Sequence, residues 1–582
     1  MKRSEASKDG EGWRLGPEGE HPIDTTQAAP SDTAPGPPSG AAGLRLEATV
    51  LVLTGERVGW VCVALVSVAT RLAVLSARPL DSVEAGHALL QLMFARHGAA
   101  AAAEVRGYSL WFDLVEGGLL RLLGAGDGVA RLLPALSGLL LVGLFFALRG
   151  RLGRAGALVG GWLVALSPTL AWLSRSDLPA IPGLALALAA LIFYLALQRR
   201  PAVGPALGFG LAAGLGCSAD ASMVVVATSL ALALAAVALW RLVAGPQRRL
   251  SARLWFRRRA PAMLLGAVVA AVLWWTAESG FGARAALDSL QPYLELPRRA
   301  VLSPDFAGGL SFYLPLLLGY EFMTVVMALV GAAALLAGGG TGLFGPWCVA
   351  WAAAMLGLGT GVARHSPQLA GAMVVSMALL AGVGAQRLYE LRAWRLLRYL
   401  LLALGLLTLY VQTMTGWLYA TPDGAGGQTQ RHGVLFWRQP ATTRQTREQC
   451  ALASRSAAQA PGTVFFADDS PTLRWYLRKL RPAATAEQAS VIVSAENEPS
   501  GRVEAVGSHR FVFEQRWEAL LAGLTWRAAL RFFLQARAWG LFHSRYATIL
   551  VRPPAVAPTL IVPPSSRQPA PASKAPAAPG QP

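Results

Sequence analysis

Cysteine is scarce in this 582-residue chain: Cys62, Cys217, Cys348 and Cys450 are the four present, far apart and with no CxxC pair. That excludes a disulfide framework and a thiolate metal cluster. Charge is scarce as well. Asp, Glu, Lys and Arg make up 15% of residues, against about 25% in an ordinary soluble domain. Acids are the scarcer sign, 33 against 52 Lys and Arg. A Walker loop, an HExxH pair and a nucleophile elbow are all missing, so no short motif points to P-loop, zincin or α/β-hydrolase chemistry.

What the chain has is apolar sequence. Hydrophobic residues make up 54%, and mean hydropathy is +0.43. Runs of Leu, Ala, Val and Gly recur near the roughly 20 residues that cross a bilayer. They lie near 55–76, 130–149, 154–173, 179–198, 203–219, 221–243, 261–279, 311–336, 344–361, 367–385 and 397–418. The pattern predicts an all-α polytopic membrane domain over 55–418 with about eleven transmembrane helices.

The net charge, 52 − 33 = +19, does not point to nucleic acid, because the arginines concentrate in short loops between apolar runs. Positive-inside asymmetry makes those loops cytoplasmic: "RGRLGR" (149–154), "QRRP" (198–201), "RLYELRAWRLLR" (387–398) and the 241–259 loop, with seven arginines and no acid. They share one side if 78–129 is a single outside loop. Eleven spans then put the N-terminus inside and 419–582 outside, in the plasma (inner) membrane. "GYSLWFDLVEGGLLRLLG" (107–124) carries Asp113 and Glu116 in an apolar frame and reads as a helix lying at the interface. A second long outside loop is 280–310.

Residues 1–48 and 563–582 are rich in Pro, Gly and Ser and are expected to be disordered. Residues 425–562 read as a small α/β extracytoplasmic domain. Its strands are expected at "GTVFFADD", "ASVIVSAE", "RFVFEQRW" and "YATILVRP", and its helices at "SPTLRWYLRKL" and "LTWRAALRFFLQARAWG".

The ionisable residues expected outside form the candidate site. In "ARPLDSVEAGHALLQLMFARHG", Glu84, His87 and Gln91 share one face of a helix beginning near residue 82. A carboxylate there suits a general base towards a sugar hydroxyl, or a divalent cation that neutralises a lipid-linked phosphate. Asp81-Ser82-Val83-Glu84 reads equally well as a capping box. Asp177, beside Arg175 in "LSRSDLPAIPG", is a second candidate acid or else a helix cap. Asp220 in "SADAS" reads as a cap or turn before it reads as a ligand. Arg298 and Arg299 are fixed donors suited to phosphate oxygens, or interfacial anchors. Arg364 and His365 complete the set.

The segments "RLAVLSARPLDSVEAGHALLQLMFARHG", "ARLLPALSGLLLVGLFFALRGRLGRAGALVGGWLVALSPTLAWLSRSD" and "FYLPLLLGYEFMTVVMALVGA" carry a family resemblance, joined by "HSPQLAGAMVVSMALLAG" and "SPTLRWYLRKL". Over roughly 57–552 the chain resembles the C-type membrane glycosyltransferases, in particular the dolichyl-phosphate-mannose-type, flippase-activity-associated subgroup. The resemblance implies an inverting transferase that moves a sugar from a polyprenyl-phosphate donor to a glycan or protein acceptor on the non-cytoplasmic face. Glu84, His87 and Asp177 match family positions; Glu84 or Asp81 would be the base, and Asp177 would orient the acceptor or a metal. His87, Arg175, Asp220, Arg298, Arg299 and His365 would bind substrate. Where the family reads His-His-Asp-Glu-Ala, this chain reads Asp81-Ser82-Val83-Glu84-Ala85. The principal acid position therefore holds Val83, which cannot take a proton. That substitution keeps open a non-catalytic protein that binds or helps move lipid-linked glycans.

Overall fold

A computed structural model describes residues 55–97, 109–220, 222–243, 246–279, 309–338, 343–361, 367–390, 440–457, 462–494, 507–518 and 541–552, together with Tyr399, Gly405 and Arg527. The span expected at 397–418, the helix at 524–540, the chain ends and the loop carrying Arg298 and Arg299 lie outside the described residues, as does His365.

The helices, in chain order, are α1 (Gly55–Leu72), α2 (Ser82–His97), α3 (Leu110–Leu123), α4 (Leu132–Ala147), α5 (Arg149–Leu152), α6 (Arg154–Leu166), α7 (Pro168–Ser174), α8 (Ala180–Arg199) and α9 (Val203–Cys217). Then come α10 (Ser222–Val243), α11 (Pro246–Ser279), α12 (Gly309–Tyr320), α13 (Phe322–Gly338), α14 (Phe344–Gly361) and α15 (Pro367–Glu390). Among the described residues, five helical stretches are long and apolar enough to cross a membrane: 129–147, α8, 222–240, 259–276 and α15. The chain is thus an integral membrane protein.

Two of the eleven expected apolar runs are not single straight helices. The 154–173 run bends by 61° between α6 and α7. Ser167 caps α7 there, accepting from Leu170 N, and Pro168 at the first helical position has no N–H to lose. The 311–336 run breaks at Glu321. One carboxylate stitches the two breaks together: Glu321 Oε1 accepts from Ser167 Oγ (2.5 Å) and Thr169 N (2.9 Å), and Oε2 accepts from Thr324 Oγ1 (3.2 Å). Buried polar backbone exposed by a break must find such partners.

Helix α15 runs through the centre of the bundle and is buried along most of its length. Its residues are small or flexible, which lets neighbouring backbones come close. A Cβ built on Gly384 would collide with Gly331 Cα of α13. Gly384→Ala is therefore expected to push α13 and α15 apart and destabilise the protein by about 1–3 kcal/mol. Thermal unfolding of the purified protein checks it, and an unchanged midpoint would refute the contact.

Residues 440–552 hold a six-stranded mixed sheet, in order β1-β5-β6-β4-β2-β3. Its strands are β1 (Pro440–Thr442), β2 (Thr463–Phe466), β3 (Arg481–Pro482), β4 (Val491–Ser494), β5 (Gly507–Glu518) and β6 (Leu541–Val551), with helices α16 (Arg444–Ala457) and α17 (Pro471–Leu477). The four expected strands are present as β2, β4, β5 and β6. The two that the sequence reading missed, β1 and β3, are edge strands of two or three residues containing Pro440 and Pro482. Pro has no N–H for a ladder, and such short edges resist pairing with another chain. Central β4 is buried at all four positions, which explains why "VIVS" lacks polar alternation.

Candidate functional site

The segment after α1 turns sharply through Val74, whose φ of 50° is uncommon for a β-branched residue. Arg175 holds this turn. Its guanidinium donates to the carbonyls of Ala73 (2.7 Å), Val74 (3.2 Å) and Thr70 (3.4 Å). The side chain expected to bind substrate is thus committed to capping the C-terminus of α1.

Helix α2 opens with the capping box. Asp81 Oδ1 accepts from Val83 N (3.0 Å) and Glu84 N (2.9 Å), and Glu84 Oε2 accepts in return from Asp81 N (3.0 Å). Glu84 does much more than cap. Its carboxylate accepts from Arg78 (2.6 Å), from Arg131 Nε (3.0 Å) and Nη2 (2.6 Å), and from Asp177 N (3.1 Å). Arg131 spends its other donors on the carbonyls of Leu75, Arg78 and Pro79. A carboxylate offers about four lone-pair positions, and here all are taken. Burial alone would raise the Glu84 carboxyl, but Arg131 and then Arg78 outweigh it and hold it well below the usual carboxylate range. Glu84 is thus a fixed anion that binds three segments together, poorly suited to accept a proton or hold a metal.

The polar stripe of α2 points inward. Glu84, His87 and Gln91 are 0–2% exposed, while Val83 is 40% and Met93 42% exposed. The same inversion holds in α3. Asp113 and Glu116 are fully buried, and Leu114, Val115, Leu122 and Leu123 are exposed. A helix with acids inside and leucines outside suits an apolar surrounding. The interfacial placement expected for 107–124 thus comes with its acids facing the protein, not water. Gly117 makes this packing possible, since a Cβ there would sit 2.7 Å from the Gln91 carbonyl.

Facing each other across α2, α3 and the 174–178 turn are Asp113, Glu116, Asp177, His87 and Gln91. His87 Nδ1 lies 3.8 Å from Asp113 Oδ1. Gln91 Nε2 donates to Asp177 Oδ1 at 3.0 Å. Asp177 does not cap α8, which starts at Ala180 under Pro179 with no side-chain cap. Both side-chain oxygens of Asp113 and of Glu116, Oδ2 of Asp177 and Oε1 of Gln91 are buried without a hydrogen-bond partner. Burial pushes Glu116 up to about 8, against the pull of the nearby Leu133 and Leu132 backbone N–H groups, and pushes Asp177 well above the carboxylate range, with the neighbouring acids adding to each. Asp220 starts α10 by accepting from Ser222 N (2.9 Å), and burial raises its carboxyl while the hydrogen bonds from Ser222 work against the rise.

Sequence reasoning selected Glu84, His87 and Asp177 but did not select Asp113, Glu116, Arg78 or Arg131. Asp113 and Glu116 were visible as two acids, three residues apart, in an otherwise apolar run. No sequence signal marked Arg131. Among the described residues, no group of three or more His, Cys, Asp or Glu side chains is placed to hold one metal ion. The divalent cation considered from the sequence thus does not fit these residues.

No protein-family model matches the chain, and no curated protein matches it. Among solved structures, the chain is similar to ArnT from Cupriavidus metallidurans bound to undecaprenyl phosphate, at 16% identity and a TM-score of 0.48 over 75% of this chain and 93% of that one. The apo state of the same protein gives a TM-score of 0.49 over the same shares. The archaeal oligosaccharyltransferase AglB from Archaeoglobus fulgidus, in complex with an inhibitory peptide and a dolichol-phosphate, is similar at 13% identity and a TM-score of 0.42, over 76% of this chain and 69% of that one.

Proposed function

We propose that this chain is a membrane glycosyltransferase that moves a sugar from a polyprenyl-phosphate donor to a glycan or protein acceptor on the non-cytoplasmic face of the plasma membrane. One observation carries the reading. Three segments distant in sequence converge on Asp113, Glu116 and Asp177, all buried and short of partners. Unpaired buried acids cost stability and are retained where they do chemistry. A base for a sugar hydroxyl needs a carboxyl shifted towards the working pH, and those of Glu116 and Asp177 are shifted that way.

In this reading one of the three, with Asp113 beside His87 the leading choice, takes the acceptor hydroxyl proton. The acceptor oxygen bonds to the anomeric carbon, the bond from that carbon to the phosphate oxygen breaks, and polyprenyl phosphate leaves. Inversion at the anomeric carbon is implied by the family resemblance. Glu84 and Arg131 hold the frame, and Asp81 caps α2. Arg298, Arg299 and His365 are assigned to the donor phosphate. No step passes through a metal. An eleven-span topology with the sheet on the outer side belongs to the same proposal.

One observation favours a second reading, a non-catalytic protein that binds lipid-linked glycans. Val83 is exposed where the resembled family carries its acid. Purified full-length protein, given a polyprenyl-phosphate sugar, is expected to release the sugar to acceptor. Val83→Asp, which puts a carboxylate at the position where the resembled family carries its acid, should raise the rate. A wild type that binds the donor but transfers nothing, in a preparation where Val83→Asp is equally inert, would establish the second reading.

A further inference from the structure

The segment "SPTLRWYLRKL" has no part in the chemistry above, yet it reaches the site. Asp127, in the turn between α3 and α4, receives three donors from the sheet region. Its Oδ1 accepts from Trp475 Nε1 (2.8 Å), and its Oδ2 accepts from Tyr476 Oη (2.8 Å) and Arg447 (2.6 Å). Trp475 is fully buried against Leu80, Ala85, Ala88 and Leu120. Arg447 also donates to the Ser76 carbonyl at 2.8 Å.

A plain docking contact would need only the apolar packing. Tyr476 goes further. While donating to Asp127, its hydroxyl accepts from Leu80 N at 2.8 Å. Leu80 immediately precedes the Asp81–Glu84 box, and Glu84 in turn accepts from Asp177 N. The route Asp127, Tyr476, Leu80, Glu84, Asp177 is a continuous set of hydrogen bonds and adjacent residues from the sheet to a candidate acid.

We infer that Tyr476 is a positioning residue: through its hydroxyl, the sheet region fixes the N-terminus of α2 and so the placement of Asp177 and His87. The effect on turnover rests on the transferase reading above; the relay itself does not.

The test uses the full-length protein in lipid nanodiscs, with Tyr476→Phe, Asp127→Asn and the double variant. Phe keeps the ring and its packing and removes both hydrogen bonds. Exchange of the Leu80 amide and the first turn of α2 is expected to quicken about tenfold in Tyr476→Phe, with α15 and β4 unaffected. The maximal rate should fall about tenfold while affinity for the polyprenyl-phosphate donor stays within twofold. Both single changes break one relay, so the double variant should be little worse than the worse single one. Unchanged exchange at Leu80 in Tyr476→Phe overturns the relay. Faster exchange with an unchanged rate overturns the positioning role and leaves the transferase reading standing. A wild type without transfer sinks the transferase reading alone, and Leu80 exchange still decides the relay.

Discussion

Glu84→Gln is expected to destabilise the protein by about 3–5 kcal/mol, the scale of removing one partner from a buried ion pair. A capping role alone predicts almost no effect, since Gln has nearly the same size and still reaches Asp81 N. What Gln cannot do is neutralise two guanidiniums. The Arg131 side chain is 1% exposed and that of Arg78 12%, so both charges would remain in the interior with a neutral partner. The check is unfolding of the purified variant beside wild type. A midpoint that does not move would return Glu84 to the role of a simple cap.

Acid dependence gives an independent test of the same group. The folded Glu84 carboxyl titrates at about 2, below its ordinary 4.5. Its stabilisation is therefore complete above about pH 4.5 and is lost as pH falls towards 2. Glu84→Gln should remove that part of the acid-side decline.

Asp113→Asn, Glu116→Gln and Asp177→Asn carry the opposite sign. Each replaces a buried, under-partnered carboxyl by a neutral amide of similar shape. Transfer should fall roughly 10²–10⁴-fold for the residue acting as base, while for Glu116→Gln and Asp177→Asn stability at neutral pH rises by about 1–3 kcal/mol, because a neutral amide does not oppose folding as a carboxyl raised by burial does. The pH dependence follows from the direction of the shift. Glu116 has a folded value of about 8, above its ordinary 4.5. Its contribution is most favourable below pH 4.5 and is lost as pH rises through 8. Glu116→Gln should flatten wild type's loss of stability over that window. Lost stability together with lost activity would make the cluster structural and remove the main support for the proposed chemistry. A gain in stability with a loss of activity is what a functional site held at the expense of the fold would give.

These two expectations also show where sequence reading reached and where it stopped. Glu84 was selected, and its capping partner Asp81 lies within one helical turn, so local spacing was enough to see the box. Its dominant partner, Arg131, is 47 residues away, and the backbone N–H of Asp177 is 93 away. Nothing local distinguishes Arg131 from an arginine that anchors a span at the interface. Asp113 and Glu116 stood out as acids in an apolar run, but a helix lying at the interface explains them equally well until α2 is found against them. Arg175 illustrates the reverse: loop position suggested a ligand, and hydrogen bonds to α1 carbonyls occupy it instead.

The sequence by itself determined that this is a membrane protein, where most of its apolar helices lie, which four β-rich runs become strands, and that α2 starts with a capping box. These follow from quantities local to the chain: hydropathy over a span, residue preference over a strand, and contacts within one turn. Only the tertiary structure decided that Glu84 is a saturated anion and not a base, that the acids of α3 face inward, that Gly331 and Gly384 bring α13 against α15, and that Asp127 receives α17. Each depends on which distant segments pack together and on how deeply they are buried. Burial reverses the energetics of a carboxyl: paired with arginine it stabilises, left without a partner it costs, and the residue type is the same in both places.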